Sequence, residues 1–409
     1  MSHYFWFALV VSATAALQGQ DWPQFLGPAR DGTYSGTNLA ATWPKEGPPV
    51  LWRKNIGAGF SAPVAASGKV ILFHRIDDKE TVECFESKSG DRLWRYDYPT
   101  KYRDDFGFDE GPRGTPAIAG GRVYTCGAEG MLHCLEFASG KKLWDVDARK
   151  EFGARKGFFG IACSPLVEGN RVLVEIGGTK AGIAAFNAET GAVAWKTPGA
   201  EASYSSPTAT TIRDKRCAFF FTREGLTALD AGNGKEYWQF AWRPSLDASV
   251  NAATPLVVGE TIFVSTSYGR GAALLRFDER KPIVIWSGDE MLSNHYATSV
   301  QQGGFLYGYH GRQEQGCDLR CVELETGKVM WTAEGFGAGT VTLAAGSLLL
   351  LTEKGELVKA PATAAAFKPA ARAQILGLQT RAHPALANGL FFARDRNRLV
   401  CVDLALRAP

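Results

Sequence analysis

Residues 84–94 read CFESKSGDRLW, and residues 134–144 read CLEFASGKKLW. Both stretches begin with cysteine, place glutamate two positions later and glycine four positions after that, and end with tryptophan. The same spacing recurs, with Asn or Asp at some acidic positions and Pro282 replacing one glycine, in stretches that end at Trp195, Trp238, Trp286 and Trp331. Successive tryptophans of the set lie 43 to 51 residues apart. A repeat of about 40 to 50 residues is the length of one β-propeller blade.

Each repeat also contains sequence for four short strands, here named a, b, c and d in chain order. An apolar strand follows a dipeptide that ends in proline, as in Thr115-Pro116 and Ser206-Pro207, and a glycine-containing turn leads to a second strand. The tryptophan stretch supplies strands c and d. Short strands separated by turn residues at this interval indicate four-stranded antiparallel blades.

Each position of the tryptophan motif has a physical reason. Glycine suits the turn between strands c and d because it adopts a positive φ without a steric penalty. The acidic residue before the turn can accept hydrogen bonds from turn amides. Tryptophan is large enough to fill the wedge between neighbouring blades, where its indole N–H finds a partner. The motif therefore predicts that these tryptophans, together with Trp52, are structural.

Two further repeats are degenerate. One begins at Gly339, with Phe367 expected in place of tryptophan, and the last begins at His383 and contains only strands a, b and c. The N-terminal stretch PPVLWRKN, residues 48–55, has the character of a d strand with no a, b or c before it. Pairing the two ends closes a ring and removes its exposed sheet edges. We therefore predict an all-β fold, an eight-bladed β-propeller of four-stranded antiparallel blades over residues 50–409, closed by the N-terminal strand.

The first residues indicate export. The apolar stretch from Tyr4 to Ala16 is too short to span a bilayer but fits a secretory signal peptide. We assign residues 1–19 to a signal peptide and residues 20–49 to an N-terminal segment; a buried N-terminal strand is the alternative. No cysteine lies in residues 1–20, so we expect no lipid anchor. The expected location is the periplasm or the exterior, with no transmembrane segment.

Charge and cysteine placement exclude other classes of protein. The 409 residues carry 45 basic and 42 acidic side chains, a net charge of +3, with no basic stripe, so no nucleic-acid partner is expected. Four of the eight cysteines recur at one position of the repeat and would lie on separate blades, too far apart for disulfides. We expect mostly buried thiols, and no CxxC pair suggests zinc.

At this point the sequence resembles the pyrroloquinoline-quinone-repeat-like β-propellers. The Gly-x-x-x-Trp blades carry the resemblance from about Trp52 to the C-terminus. The string DWPQFLGP at residues 21–28, followed by Arg30-Asp31-Gly32, is similar to the start of exported bacterial members. The family includes quinone-dependent alcohol dehydrogenases and a non-catalytic lipoprotein that helps to assemble outer-membrane barrels. The resemblance implies the fold but does not choose between these functions.

The loops between blades are the place to look for a binding site. The a–b and c–d turns are short and repetitive, whereas the d–a and b–c loops, which share the other face, are longer and irregular. We predict that a ligand-binding set rings the mouth of the central channel on that face: Arg113, Tyr204, Asn251, His295, Tyr296, His310, Arg312, Glu314, Arg381 and His383.

Several of these residues allow two interpretations. His295 and His383 are the best candidates for proton transfer, but they could instead fasten neighbouring loops. The string HGRQE at residues 310–314 could clamp an anion or sugar, or contain an internal Arg–Glu pair. The acidic residues at 104–105 and 109–110 could hold Ca²⁺, although their spacing matches no known calcium loop and a solvated loop is favoured. We predict no metal site and assign no catalytic residue.

The prediction for function is a non-catalytic exported propeller that acts as a binding or scaffold module for a protein or a saccharide, without a cofactor. The alternative is a dehydrogenase of alcohols or sugars that uses pyrroloquinoline quinone and Ca²⁺. Such enzymes are usually longer, and many carry adjacent cysteines beneath the cofactor, whereas this chain has no Cys-Cys pair. The sequence does not say whether any chemistry takes place.

Overall fold

The computed structural model describes residues 20–405 as a ring of β-sheets. The proposed signal peptide, residues 1–19, lies outside the described residues, as do residues 406–409. Within the described chain, eight sheets each contain four antiparallel strands that run a, b, c, d from the centre outward, and one of the eight sheets gains a fifth, parallel strand at its inner edge. The predicted all-β, eight-bladed propeller is confirmed.

Two strands precede the first complete blade, β1 (Thr33–Tyr34) and β2 (Val50–Asn55). Blade one contains β3 (Val64–Ala66), β4 (Lys69–Ile76), β5 (Lys79–Glu86) and β6 (Arg92–Pro99), and blade two contains β7 (Ala117–Ala119), β8 (Arg122–Cys126), β9 (Met131–Glu136) and β10 (Lys142–Asp147). Blade three contains β11 (Leu166–Glu168), β12 (Arg171–Glu175), β13 (Ile183–Asn187) and β14 (Val193–Lys196). Blade four contains β15 (Thr208–Ile212), β16 (Lys215–Phe221), β17 (Gly225–Asp230) and β18 (Glu236–Ala241). A short helix, α1 (Ala148–Phe152), follows blade two.

Blade five contains β19 (Leu256–Val258), β20 (Thr261–Thr266), β21 (Gly271–Arg276) and β22 (Ile283–Gly288), and blade six contains β23 (Val300–Gln302), β24 (Phe305–His310), β25 (Asp318–Glu323) and β26 (Val329–Ala333). Blade seven contains β27 (Gly339–Ala344), β28 (Ser347–Thr352), β29 (Glu356–Pro361) and β30 (Ala371–Gln374). Blade eight contains β31 (Ala385–Ala387), β32 (Leu390–Arg394) and β33 (Arg398–Asp403). A 3₁₀ turn, Gln313–Gln315, lies in the b–c loop of blade six. The N-terminal β2 pairs antiparallel with β33, from Val50 opposite Val402 to Asn55 opposite Arg398, and closes the ring as predicted.

The tryptophan of each motif fastens its blade to the next one. The Trp144 indole of blade two donates to the Ala188 carbonyl of blade three at 3.1 Å. Its ring lies so close to Gly191 that a Cβ there would be 2.8 Å from Trp144 Cδ2. The same indole-to-carbonyl bond recurs at six other seams, from Trp52, Trp94, Trp195, Trp238, Trp286 and Trp331. The glycine therefore serves two purposes, positive φ and close contact with the ring, of which sequence analysis found only the first.

The turn chemistry follows the prediction. Gly90, Gly140, Gly191, Gly234 and Gly327 have φ of 73° to 75°. The residue at the acidic position binds the turn amides, as when Asp230 Oδ1 accepts from Gly232 N at 2.8 Å and Asn233 N at 3.0 Å. Each blade thus holds its own c–d turn in the shape that receives the neighbouring tryptophan. All eight cysteines are free and buried, as expected.

Blade seven departs from the pattern. Phe367 lies in its c–d loop, before β30, and packs 5.6 Å from the Trp331 ring of blade six. The prediction that Phe367 replaces the d-strand tryptophan is therefore wrong, because it sits on the receiving side of the seam. Leu39 and Trp43 of the N-terminal segment pack instead against the core cluster that joins blades seven, eight and one.

The N-terminal segment crosses the centre of the ring along the innermost strands. Trp22 pairs with Ala65 of blade one, and β1 adds in parallel to β27 of blade seven. Between them the buried Arg30 guanidinium donates to the carbonyls of Ser164, Pro165 and Pro207 in blades three and four. Burial lowers the pKa of Arg30 to about 10, so it remains charged at neutral pH. The segment therefore ties opposite sides of the ring together.

Phe25 of the same segment covers His383 of blade eight. The two rings meet edge to face with centroids 5.2 Å apart. His383 is buried, its Nε2 has no hydrogen-bond partner, and burial lowers the pKa of the imidazole to about 4. The side chain therefore stays neutral in the folded protein down to about pH 4, whereas a solvated histidine becomes protonated below about pH 6.5.

Substitution of Gly191 by alanine is expected to weaken the seam between blades two and three. Gly121 provides a matched control, because its φ of 71° is nearly the same and a Cβ there meets nothing within 4 Å. Gly121→Ala should cost about 1 kcal/mol through backbone strain, and Gly191→Ala a further 1–3 kcal/mol or so through overpacking. Urea unfolding of both variants measures the difference, and equal losses of stability would contradict the second role of the glycine.

Neutral burial of His383 predicts a specific pH dependence. Between about pH 6.5 and pH 4 the unfolded chain binds the proton that the folded chain excludes, so the free energy of unfolding falls as the pH is lowered through this window. The loss reaches about 3 kcal/mol at most. His383→Phe should remove this share of the pH dependence in urea titrations across the window, while the contribution of Glu175, whose pKa burial raises to about 8, remains in both proteins. Parallel pH profiles for wild type and variant would contradict the assignment.

Candidate functional site

A belt of hydroxyl groups surrounds the central channel just before the innermost strands. Ala62 N donates to Thr115 Oγ1 at 3.1 Å, and Thr115 N donates to Ser164 Oγ at 2.9 Å. The chain of bonds continues from Ser164 N to Ser206 Oγ at 3.0 Å, and Thr254 N makes the equivalent bond to Thr298 Oγ1 at 2.9 Å. Thr115, Ser164, Ser206 and Thr298 are therefore inter-blade acceptors, and the first three of them precede a proline. Sequence analysis noted these dipeptides only as strand starts.

His295 lies in a cluster formed by the loops of blades five and six. Its Nε2 is 2.9 Å from the Tyr268 hydroxyl, and its Nδ1 accepts from Gln313 N at 3.4 Å. Arg312 stacks 4.7 Å over the Tyr268 ring and lies 3.4 Å from the Glu314 carboxylate. Burial lowers the pKa of His295, although Glu314 opposes the shift. Both ring nitrogens of His295 are thus engaged within the protein.

Glu353 of blade seven organises a second cluster beside the first. Its carboxylate accepts from the Tyr296 hydroxyl at 2.6 Å and from Gln313 Nε2 at 2.8 Å, and it pairs with Arg381 at 3.0 Å. Burial raises the pKa of Tyr296, which stays protonated and donates. Gln313 links the two clusters, since it binds both His295 and Glu353. Glu353 and Gln313 were not among the predicted site residues.

Three other predicted residues hold neighbouring loops. Asn251 is buried and its amide donates to the carbonyls of Thr222 and Trp242. The Tyr204 hydroxyl accepts from Phe158 N at 2.7 Å and Phe159 N at 3.0 Å. His310 Nδ1 accepts from Ser293 N at 3.1 Å.

The acidic loop after blade one is organised by Arg113. Arg113 Nη2 donates to Asp104 Oδ2 at 3.1 Å, and the same oxygen accepts from Asp109 N at 3.0 Å. Asp109 Oδ1 accepts from Gly111 N at 2.7 Å. Within residues 20–405, no group of three or more His, Cys, Asp or Glu side chains is placed to hold a metal ion. The structure therefore brings His295, Tyr296, Arg312, Glu314 and Arg381 into two linked clusters. Arg113 packs on the ring of Phe60, 5.2 Å from its centroid, and Arg381 packs on the same ring at 5.6 Å.

The tryptophans outside the blade motif are covered by other side chains. A flat cofactor would need a free aromatic face, and three tryptophans among the described residues lie outside the blade motif. Trp22 and Trp242 are buried, and Trp43 packs on the core. Phe240 stacks on Trp242, and the Arg270 guanidinium lies 3.9 Å from its ring centroid. Trp242 is therefore packed against neighbouring side chains and offers no free ring face to a flat ligand.

Residues 78–332 match the family described as outer membrane protein assembly factor BamB. The chain is 24% identical over 303 residues to the outer membrane protein assembly factor BamB of Shewanella oneidensis, which covers 70% of each protein. It is 28% identical over 197 residues to a quinohemoprotein alcohol dehydrogenase of Comamonas testosteroni, which covers 46% of this chain and 25% of that relative.

Solved structures agree on the fold. The crystal structure of BamB from Moraxella catarrhalis superposes with a TM-score of 0.61 at 14% identity, over 88% of this chain and 99% of that one. The Comamonas testosteroni dehydrogenase superposes with a TM-score of 0.66 at 14% identity, over 97% of this chain and 82% of that one. Among residues 20–405, no helix has the length and apolar character needed to cross a membrane. The match over residues 78–332 and the repeated tryptophan blades establish that the chain belongs to the BamB family of pyrroloquinoline-quinone-repeat-like β-propellers.

Proposed function

We propose that this chain is an exported, non-catalytic scaffold that binds a protein partner through the face formed by its d–a and b–c loops. The observation that carries the proposal is that the polar side chains of the two clusters on that face are hydrogen-bonded to one another. His295 is held by Tyr268 and Gln313, and Glu353 by Tyr296 and Arg381. A general acid or base needs a free position toward its substrate, whereas these groups make the loops rigid. Rigid loops favour recognition because little conformational entropy is lost on binding.

The family relationship supports the same proposal. The Shewanella oneidensis relative is named an outer membrane protein assembly factor, and the two chains align over 70% of their lengths. A signal peptide at residues 1–19 would place this chain in the periplasm, where such an assembly factor could meet a partner. A saccharide remains the other class of ligand that the loops could bind, but the buried rings and paired carboxylates of the two clusters give no particular support to it.

The dehydrogenase alternative has weaker support. The Comamonas testosteroni relative aligns over only 25% of its own length, so most of that enzyme has no counterpart in the alignment. Trp242 is packed against Phe240 and Arg270 and offers no free ring face to a flat cofactor.

A photocrosslinker placed at Leu246 should capture a discrete protein in cells that produce and export this chain. Leu246 is exposed on the d–a loop of blade four, and Lys235 is exposed on the opposite face in the c–d turn of the same blade. We expect an adduct from p-benzoylphenylalanine at position 246 but not at position 235. Adducts from both positions, or from neither, would contradict the assignment of the binding face.

Titration with pyrroloquinoline quinone and Ca²⁺ tests the alternative directly. We expect no saturable change in tryptophan fluorescence and no reduction of an artificial electron acceptor with alcohols or sugars. Saturable binding with turnover of a substrate would overturn the proposal of a non-catalytic scaffold.

A further inference from the structure

Four phenylalanine side chains meet on the d–a loops that follow blades one and two. Phe106 lies 6.3 Å from Phe108 of its own loop, 5.9 Å from Phe158 and 5.3 Å from Phe159, measured between ring centroids. Phe106, Phe108 and Phe158 are 54%, 46% and 37% exposed. A contiguous exposed aromatic cluster is unusual on a monomeric protein and marks an interaction surface.

The cluster is held in place by polar contacts beneath it. Phe106 N donates to Asp104 Oδ1 at 2.9 Å, and the Tyr204 hydroxyl accepts from the two amides of Phe158 and Phe159. The Arg113 guanidinium lies 5.1 Å from the Phe159 ring centroid while it pairs with Asp104. The exposed rings therefore sit on a backbone that is fixed before any partner arrives.

A pocket of about 400 Å³ lined by basic side chains is formed by the same two loops together with the b–c loop of blade two. Its floor includes Tyr102, Ala128 and Ile161, and its one carboxylate is that of Glu129. Five basic side chains line it: Lys101, Arg103, Arg149, Arg155 and Lys156. Arg149 pairs with Glu129 at 2.9 Å, and Arg103 pairs with Glu110 at 3.2 Å.

The ion pairs at the rim of this pocket can exchange partners. Lys156 Nζ lies 2.6 Å from Asp105, and Arg155 Nη1 lies 3.8 Å from Glu201, with the carboxylates largely exposed. Exposed pairs of this kind contribute little to stability. An incoming carboxylate can therefore replace Asp105 or Glu201 without a large loss of stability. Asp105 directly precedes Phe106 in the sequence, so the pocket and the exposed rings are adjacent.

We infer that this aromatic–basic surface, formed by the four phenylalanines and the adjoining basic pocket, binds an acidic protein segment that carries an aromatic or large aliphatic anchor. The anchor packs on the exposed rings and the neighbouring carboxylates enter the pocket. Aromatic and arginine side chains are the residues on which binding energy concentrates at protein interfaces. The inference rests on the proposed protein-binding function and specifies its location and partner chemistry.

Selection from a phage-displayed library of random peptides tests the inference without knowledge of the natural partner. Purified wild-type protein is the bait, and phage that bind the double variant Phe106→Ser/Phe158→Ser are removed first. We expect enriched peptides that combine an aromatic or leucine residue with several Asp or Glu residues. Enrichment of basic peptides, or no enrichment, would overturn the inference.

Binding of a selected peptide should then depend on both halves of the surface. We expect the double variant to bind at least about tenfold more weakly, and Arg155→Glu about fivefold more weakly, with a smaller salt dependence than wild type. The matched control is Leu93→Ser, which removes a 47% exposed side chain at the start of β6, beside the c–d turn on the opposite face. Equal binding by the double variant and this control would contradict the assigned surface. Thermal unfolding checks that each variant is folded.

Two further outcomes assign the surface to something else. Co-sedimentation with phosphatidylglycerol vesicles that requires Phe106 and Phe158 would replace the protein segment with a membrane, and dimerisation that requires them would replace it with a second copy of the chain. If the Leu246 photocrosslink persists in the double variant, the inference fails while the proposed function stands. If wild type gives no crosslink at all, the proposed function fails, whatever the peptides show.

Discussion

The contact between the tryptophan of one blade and the glycine of the next is the constraint on which the ring depends. A four-stranded blade cannot bury both of its faces alone, so it must stack on its neighbours. Blades diverge as they extend from the axis, and the widest part of each gap needs the largest side chain. The indole fills that gap, and its N–H bond to a carbonyl of the next c–d turn fixes how far one blade slides along the other. At five of the seams a glycine of the c–d turn lies against the ring, as Gly191 does on Trp144, where a Cβ would clash.

The sequence predicted this framework well because the framework repeats. Six stretches with one spacing overdetermine the blade length, and the incomplete first and last repeats imply the closure between β2 and β33. The prediction failed where repetition fails. Blade seven has no tryptophan in its d strand. Phe367 was assigned to that position because it is aromatic, although it lies in the c–d loop and packs on the tryptophan of blade six. The shift in strand register before each tryptophan, as between Lys142 and Trp144, likewise cannot be predicted from the spacing of the repeated residues.

The candidate site was harder to predict because its residues occur once each. The ten predicted residues have in common only that they lie in irregular loops. In the structure they form hydrogen bonds and ion pairs with different partners, so they do not make up a single site. Glu353 was missed because its importance comes from Tyr296, Arg381 and Gln313, which reach it from other blades. The hydroxyl belt could have been found, since Thr115-Pro116 and its equivalents recur in the repeat. Their role as inter-blade acceptors depends on the neighbouring amide, which lies in a different repeat.

The seams and the loops therefore carry different kinds of information. The seams use the same residues whatever the loops do, which is why BamB and a quinohemoprotein dehydrogenase superpose almost equally well on this chain. Function must be read from the loops, where the distribution of paired and exposed groups differs between a reaction site and a docking surface. A reaction site keeps polar groups free beneath an opening and shields them from bulk water. Here His295 and Glu353 are paired within the protein, while Phe106, Phe108 and Phe158 stay in solvent. Phe25 and Arg30 of the N-terminal segment occupy the centre of the ring. That distribution is the one expected of a rigid platform, because exposed apolar area gains free energy only when a partner covers it.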